Sequence, residues 1–311
     1  MSARIVISEF MDAPAVARLA ARYDVDYRPK LVDEPRALEA ALPAADAWIV
    51  RNRTQVRGAL LDGARKLRVV GRLGVGLDNI DVQACEARGI AVIPATGANA
   101  QAVAEYVIAT AMLLLRGAFL STDEVAAGRW PRTALSLGRE IAGRTLGVIG
   151  FGDIGRRAAR MGRALGMRAI GHDIALPSNA AAWRDEHVEP RDLDALLAGA
   201  DVVTLHVPLV TTTRNLIDAR RLAAMKRGAI LINTARGGVV DEAAVAAALA
   251  SGQLGGAALD VFDTEPLPAG SPLAGAPNLL LTPHIAGLTQ EANARVSTMI
   301  AERVLAMLAG R

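Results

Sequence analysis

What this sequence lacks narrows its class before any motif is considered. Cysteine occurs once, at Cys85, which excludes an intrachain disulfide. Residues 1–8 lack the charged-then-apolar order of a secretory leader, so a cytoplasmic location is expected. Long apolar runs are missing too. The most apolar stretch, residues 107–115, is bounded by Glu105 and Arg116 and is too short to cross a bilayer of roughly 30 Å, so no membrane partner is expected. Aromatic residues make up 3% of the chain against 52% apolar residues, which leaves the core to Ala, Val, Leu and Ile. That mixture suits helices packed on buried parallel strands. No block of like charge occurs: the formal net charge is +3, acidic and basic residues are interspersed, and nucleic acid is not an expected partner.

What is present is organised in two blocks. At 311 residues the chain exceeds the usual size of one compact core, and two domains are expected. Short apolar strands alternate with amphipathic helices in both, the pattern of a doubly wound parallel sheet in an α/β fold. The first block has strand-like runs at 4–8, 46–50, 67–70 and 90–93, with a helix at 13–22. The second has them at 145–149, 167–171, 201–205, 229–233 and 256–259, followed by 278–282. Residues 99–127 read as one long helix between the blocks, and 289–308 as a closing helix whose apolar face the first block can bury. The first domain is therefore expected to be discontinuous, residues 1–98 with 288–311, around a nucleotide-binding domain over 99–287.

The run Gly150-Phe-Gly152-Asp153-Ile154-Gly155 follows an apolar strand and opens a helix, the context in which a three-glycine pattern binds a dinucleotide. Gly150 would permit the tight turn, Gly152 would admit the pyrophosphate, and Gly155 would let helix and strand pack closely. The anion would rest on free N–H groups at the helix start. Asp173, at the end of the next strand, is placed to accept from both adenosine ribose hydroxyls and would repel a 2′-phosphate, which selects NAD over NADP.

Three more segments put polar groups at the ends of apolar runs, where ligands of open α/β sheets collect. They are Asn233-Thr-Ala-Arg236-Gly-Gly, Asp260-Val-Phe-Asp-Thr-Glu265-Pro and Thr282-Pro-His284-Ile-Ala-Gly287. With the glycine pattern, and with Val50-Arg-Asn-Arg-Thr54, Val70-Gly-Arg72-Leu-Gly-Val75-Gly76-Leu-Asp-Asn-Ile-Asp81 and Ala235-Arg-Gly-Gly-Val-Val-Asp-Glu242, the chain resembles the D-isomer-specific 2-hydroxyacid dehydrogenases over essentially its whole length. Within that family it is most similar to short phosphoglycerate dehydrogenases and sulfolactate dehydrogenases.

The resemblance implies two Rossmann-like or flavodoxin-like domains, a substrate-binding and an NAD-binding one, with the active site in the cleft between them. It also implies a homodimer, a small 2-hydroxy or 2-oxo acid as partner, and no catalytic metal. Arg236 would hold the substrate carboxylate, since a planar guanidinium forks to two oxygens and stays charged. His284 would exchange the C2 hydroxyl proton, as an imidazole gains and loses a proton near neutral pH. Glu265 would bind the other ring nitrogen and favour the imidazolium. Asp260 would belong to the nicotinamide pocket or serve as a strand-end residue; Val103, Ile154, Pro208, Thr213, Thr234, Ala235 and Gly287 would line the cofactor site, Val103 and Pro208 mainly by packing. Val75 and Gly76 would offer backbone N–H groups to the substrate carboxylate.

Arg51, Arg53 and Arg72 would supply charge for a second anion on C3, as in 3-phosphoglycerate or 3-sulfolactate, with glyoxylate and hydroxypyruvate reduction as the uncharged alternative. Arg132 could add charge from a second subunit. The chain stops at Arg311, so serine feedback through a C-terminal regulatory domain is not expected. Some proteins of this fold act instead as NADH-responsive corepressors and keep the Arg, Glu and His; oxidation of NADH by 2-oxo acids distinguishes the two classes.

Overall fold

The computed structural model describes residues 3–310, apart from the side chain of Leu120; the expectations about the leader and the chain end fall partly on Met1, Ser2 and Arg311, outside those residues. The chain divides into two compact units, one formed by Met1–Asn99 with Leu288–Arg311 and the other by Ala100–Gly287.

The first unit is a five-stranded, wholly parallel sheet of β1 (Arg4–Ile7), β2 (Asp24–Tyr27), β3 (Ala47–Val50), β4 (Val69–Arg72) and β5 (Ala91–Pro94), in the order β2-β1-β3-β4-β5. Strand alternation feeds two cores: Ile5 and Ile7 enter one face, Val6 the other, and all three are fully buried. The helix Gln290–Ala309 covers the first of these faces. Thr289 caps it by accepting from the Ala292 N–H at 3.0 Å, and Ala292, Val296, Ile300 and Val304 recur every fourth residue as its buried stripe. Gly71 on β4 makes room for it, because a Cβ there would lie 2.7 Å from Ile300 Cγ2.

The second unit carries β6 (Thr145–Ile149), β7 (Arg168–His172), β8 (Glu189–Pro190), β9 (Val202–Leu205), β10 (Ala229–Asn233), β11 (Leu254–Leu259) and β12 (Leu279–Leu281). These seven strands are all parallel, in the order β12-β11-β10-β9-β6-β7-β8, the doubly wound dinucleotide-binding order with one strand added. In each unit the strand order reverses beside the first strand, between β1 and β3 and between β6 and β9. The crevice outside the carboxyl ends at such a switch point is where open α/β sheets bind ligands.

Two expectations need correction. Residues 99–127 are not one helix: the helix Ala100–Arg116 stops at Gly117, which adopts φ +65° and donates its N–H to the Leu113 carbonyl at 2.8 Å, a left-handed helix terminus. A short 3-10 turn, Ala118–Ser121, and a second helix, Thr122–Ala126, follow. The strand expected at 67–70 runs Val69–Arg72, which makes Arg72 a strand-end residue. Among the described residues no helix is long and apolar enough to cross a membrane.

Candidate active site

The turn after β6 is built as a dinucleotide cradle. Gly150 has φ +93°, and a Cβ on it would lie 2.6 Å from the His206 carbonyl oxygen. A Cβ on Gly155 would lie 2.2 Å from the Gly150 carbonyl oxygen and 2.9 Å from Val148 Cγ1, so glycine is what lets the helix Asp153–Ala164 sit on β6. At Gly152, by contrast, an added Cβ would meet nothing within 4 Å. No contact within the chain demands glycine there, and the open space suits the close approach of a bound pyrophosphate. No side chain caps the helix start, which leaves the first-turn N–H groups, those of Asp153 and Ile154 among them, for an anion.

Asp173, just past β7, is held by two backbone donors: Phe151 N–H gives to Oδ2 at 2.7 Å and Ala175 N–H to Oδ1 at 2.8 Å. Each oxygen keeps a lone pair for a ribose hydroxyl. Past β9, Thr213 donates to the Pro208 carbonyl at 2.6 Å and accepts from the Val210 N–H at 2.8 Å, closing that loop. His206 lies beside Gly150 with Nε2 3.0 Å from Thr204 Oγ1, and burial of its ring pushes its pKa down to about 3, so it is neutral. Past β10, the Thr234 hydroxyl is buried without a hydrogen-bond partner. An orphaned hydroxyl costs free energy unless a ligand satisfies it. Val103 is buried at 4% exposure on the helix Ala100–Arg116. The open glycine, the uncapped helix and the orphaned hydroxyl fit a dinucleotide on this unit.

Arg236, Glu265 and His284 come from three strand ends of the same unit. Asn233, fully buried at the end of β10, donates Nδ2 to the Arg236 carbonyl at 2.9 Å and accepts from the Ala235 N–H at 3.0 Å, fixing the turn that carries the arginine. Gly237 lies so close to the next loop that a Cβ would sit 1.8 Å from the Phe262 carbonyl oxygen. Glu242 Oε1 accepts from the Asp263 N–H at 2.8 Å and ties the same two turns together. On that second loop Glu265 Oε1 accepts from the Phe262 N–H at 3.1 Å, and Oε2 lies 2.8 Å from His284 Nδ1. The histidine thus has one ring nitrogen, Nδ1, engaged by a carboxylate; its side chain is 42% exposed. His284 adopts φ +56°, a left-handed conformation uncommon outside glycine.

Asp260, placed in the nicotinamide pocket by resemblance, is 1% exposed and spends both oxygens on the loop that carries His284. Oδ1 accepts from Thr282 Oγ1 at 2.6 Å and Ile285 N–H at 2.8 Å, and Oδ2 accepts from Ala286 N–H at 2.8 Å, one residue before Gly287. Its observed hydrogen bonds are those of a strand-end residue.

In the first unit, Arg51, Arg53 and Arg72 fall at adjacent strand ends, since Val50 of β3 is the register partner of Arg72 on β4. Sequence reading missed what holds them. Glu9, 4% exposed and two residues past the end of β1, accepts from the N–H groups of Arg51 (2.8 Å), Thr54 (3.0 Å) and Arg53 (3.2 Å). Asn79 works from the other side, donating to the Arg51 carbonyl at 3.2 Å and the Thr54 carbonyl at 2.7 Å. The Arg51 guanidinium bonds Asn293 and lies 5.7 Å over the Phe10 ring; burial pulls it below the usual arginine range, and the charge of Glu9 opposes this. Arg53 directs its guanidinium to Asp33 in an exposed ion pair. Arg72 is 9% exposed, donates Nε to the Gly76 carbonyl at 2.9 Å, and packs against Gly74, where a Cβ would lie 2.0 Å from Nη1. Val75, 39% exposed, stands at the tip of that loop.

Comparison with known proteins bears on both units. Residues 108–286 match the family described as D-isomer specific 2-hydroxyacid dehydrogenase, NAD binding domain. A protein of Chromohalobacter salexigens named (S)-sulfolactate dehydrogenase is 52% identical over 300 residues, covering 96% of each chain. A D-3-phosphoglycerate dehydrogenase of Methanocaldococcus jannaschii is 40% identical over 266 residues, 86% of this chain and 50% of that longer protein. Among solved structures, the TT0316 protein of Thermus thermophilus superposes with a TM-score of 0.86 at 34% identity, covering 99% of this chain and 97% of that one.

Proposed function

The chain belongs to the D-isomer specific 2-hydroxyacid dehydrogenase family and is an NAD-dependent oxidoreductase of that class; from that premise we propose that its substrate is a short 2-hydroxy acid bearing a second anion on C3, sulfolactate ahead of 3-phosphoglycerate. The unit Ala100–Gly287 binds NAD, through Gly150 to Gly155, Asp173, Thr213, Thr234 and Ala235, and the other unit binds the acid. NAD, when bound, accepts or returns the hydride at C2. His284 takes the hydroxyl proton on Nε2 during oxidation and gives it back during reduction. Glu265 holds Nδ1 and offsets the positive charge that the ring gains. Arg236 forks to the substrate carboxylate, and the Val75 and Gly76 N–H groups assist it.

The observation that carries the chemistry is the 2.8 Å contact between Glu265 and His284 at two separate strand ends. The distal anion rests on Arg51 and Arg72, with Arg53 adding charge on the same loop. The sulfonate is placed first because the 52% identical relative carries that name, while the phosphoglycerate dehydrogenase is 40% identical. The test is the ratio of kcat/KM among the two sulfolactate enantiomers, 3-phosphoglycerate and D-glycerate with NAD. One sulfolactate enantiomer is expected to lead; D-glycerate equalling both charged acids would remove the distal anion from the reading.

Assembly as a cytoplasmic homodimer is part of the same proposal. Met112, Leu113, Val125, Trp130 and Leu137 are exposed apolar side chains within one stretch of the second unit, the last two at 77% and 85%. Sedimentation velocity at micromolar concentration gives the mass directly, and a monomer there would refute the dimer.

A further inference from the structure

His284 stands in a left-handed backbone conformation, and such conformations persist only where the surroundings over-determine them. The surroundings here form one connected set of hydrogen bonds. Thr282 has a single hydroxyl proton and gives it to Asp260 Oδ1 at 2.6 Å. Tyr106 Oη lies 2.6 Å from the same Thr282 oxygen, so the tyrosine must be the donor in that pair. The direction is thereby fixed, from Tyr106 to Thr282 to Asp260. Burial raises the Tyr106 hydroxyl above its ordinary range; the hydrogen bond to Thr282 opposes this and the charge of Asp260 adds to it. Asp260 also takes the N–H groups of Ile285 and Ala286, the two residues after the histidine. Backbone and side-chain bonds thus clamp the loop on both sides of residue 284.

We propose that Tyr106, Thr282 and Asp260 form a positioning relay that holds His284 in its left-handed conformation and keeps its ring against Glu265. The inference rests on the reading of His284 as the proton-exchanging group. Tyr106 belongs to the helix Ala100–Arg116, with which the second unit begins, and the clamped loop reaches Ala286, one residue before that unit finishes at Gly287. The relay ties the first helix of the unit to its last loop. Small displacements of a proton-transfer group cost large factors in rate, and Asp260 and Thr282 touch the loop that fixes where Nε2 points.

The experiment uses Tyr106→Phe, Thr282→Val and Thr282→Ser, each alone and with His284→Ala. Tyr106→Phe removes one oxygen and keeps the ring, so folding, checked by melting temperature and NADH fluorescence, is least at risk there. Tyr106→Phe and Thr282→Val are expected to lower kcat roughly 10- to 100-fold while KM for NAD changes little, and Thr282→Ser to restore most of that loss. In the His284→Ala background the same substitutions are expected to have no further effect, because groups that act as a unit are not additive. Unchanged kcat in Tyr106→Phe and Thr282→Val overturns the relay. So does an equal fractional loss with and without His284, which would mark a structural or cofactor role while leaving the proton-transfer reading intact. Near-normal turnover of His284→Ala alone overturns that reading, and the relay with it.

Discussion

Two loops of this molecule solve one problem in different ways. The loop after β3 and the loop after β12 both present basic side chains at a strand end, and both are pinned by a buried carboxylate from a neighbouring strand end. Glu9 accepts three N–H groups in the first, and Asp260 accepts two N–H groups and a hydroxyl in the second. The difference lies in the side chains. His284 is fixed a second time by Glu265 and by its own left-handed backbone. Arg51 and Arg53 are fixed through their backbone, while their long side chains reach Asn293 and Asp33. Proton transfer needs a group placed within tenths of an ångström, whereas an anion is held by charge that tolerates movement. A preset main chain with adaptable guanidinium groups suits the second task.

The comparison breaks most visibly at the histidine. His284→Ala should cut kcat by about 10²- to 10⁴-fold, the usual worth of a positioned acid or base, while NADH binding followed by fluorescence persists. Turnover close to that of the native protein would mean that the two loops do not divide their labour this way. Glu9→Gln comes next. An amide has one acceptor oxygen where the carboxylate has two, and its NH2 would face a backbone donor. The expected cost is about 1–3 kcal/mol of stability, read by thermal denaturation, together with a raised KM for the acid and a nearly unchanged kcat. A fall in kcat without a change in KM would show that the first loop, too, serves the chemical step.

Much of this was legible in the sequence, for a physical reason. Gly150, Gly155 and the strand ends at Arg236, Glu265 and His284 are marked by local signals: a glycine where a Cβ would collide, or a polar residue closing an apolar run. The short strands β2 and β8 were missed because Asp24-Val-Asp-Tyr27 and Glu189-Pro190 form sheet edges with little apolar content. The break at Gly117 was read through, since one glycine among good helix formers is a weak signal until its φ is known. The bracing roles of Glu9, Asn79, Asn233 and Tyr106 escaped for another reason. Glu9, Asn79 and Asn233 are buried and Tyr106 half-buried, each with a partner far along the chain or on a turn, and spacing carries no trace of such a pair.

Within the first loop the two arginines are expected to differ. Arg51 is partly buried beside Phe10 and Asn293, where a charge-assisted hydrogen bond keeps much of its strength. Arg51→Ala should lower kcat/KM for sulfolactate or 3-phosphoglycerate by roughly 10- to 100-fold and that for glyoxylate much less. Equal losses on both would move the distal-anion pocket elsewhere.

Arg53 should give the smallest effect of the set. Its side chain is 60% exposed and already paired with Asp33, itself 47% exposed, so water and salt screen most of what that pair contributes. Arg53→Ala is expected to leave the melting temperature unchanged and to shift kcat/KM for the charged acids by no more than about threefold, a change that disappears at high ionic strength. The Arg53 N–H bond to Glu9 survives the substitution, because the backbone makes it, so the loop keeps its shape. A loss as large as that of Arg51→Ala would show that the Asp33 pair opens when the acid binds. The guanidinium would then be held in reserve by a carboxylate that releases it, and the first loop would resemble the second in fixing its working side chain rather than only its main chain.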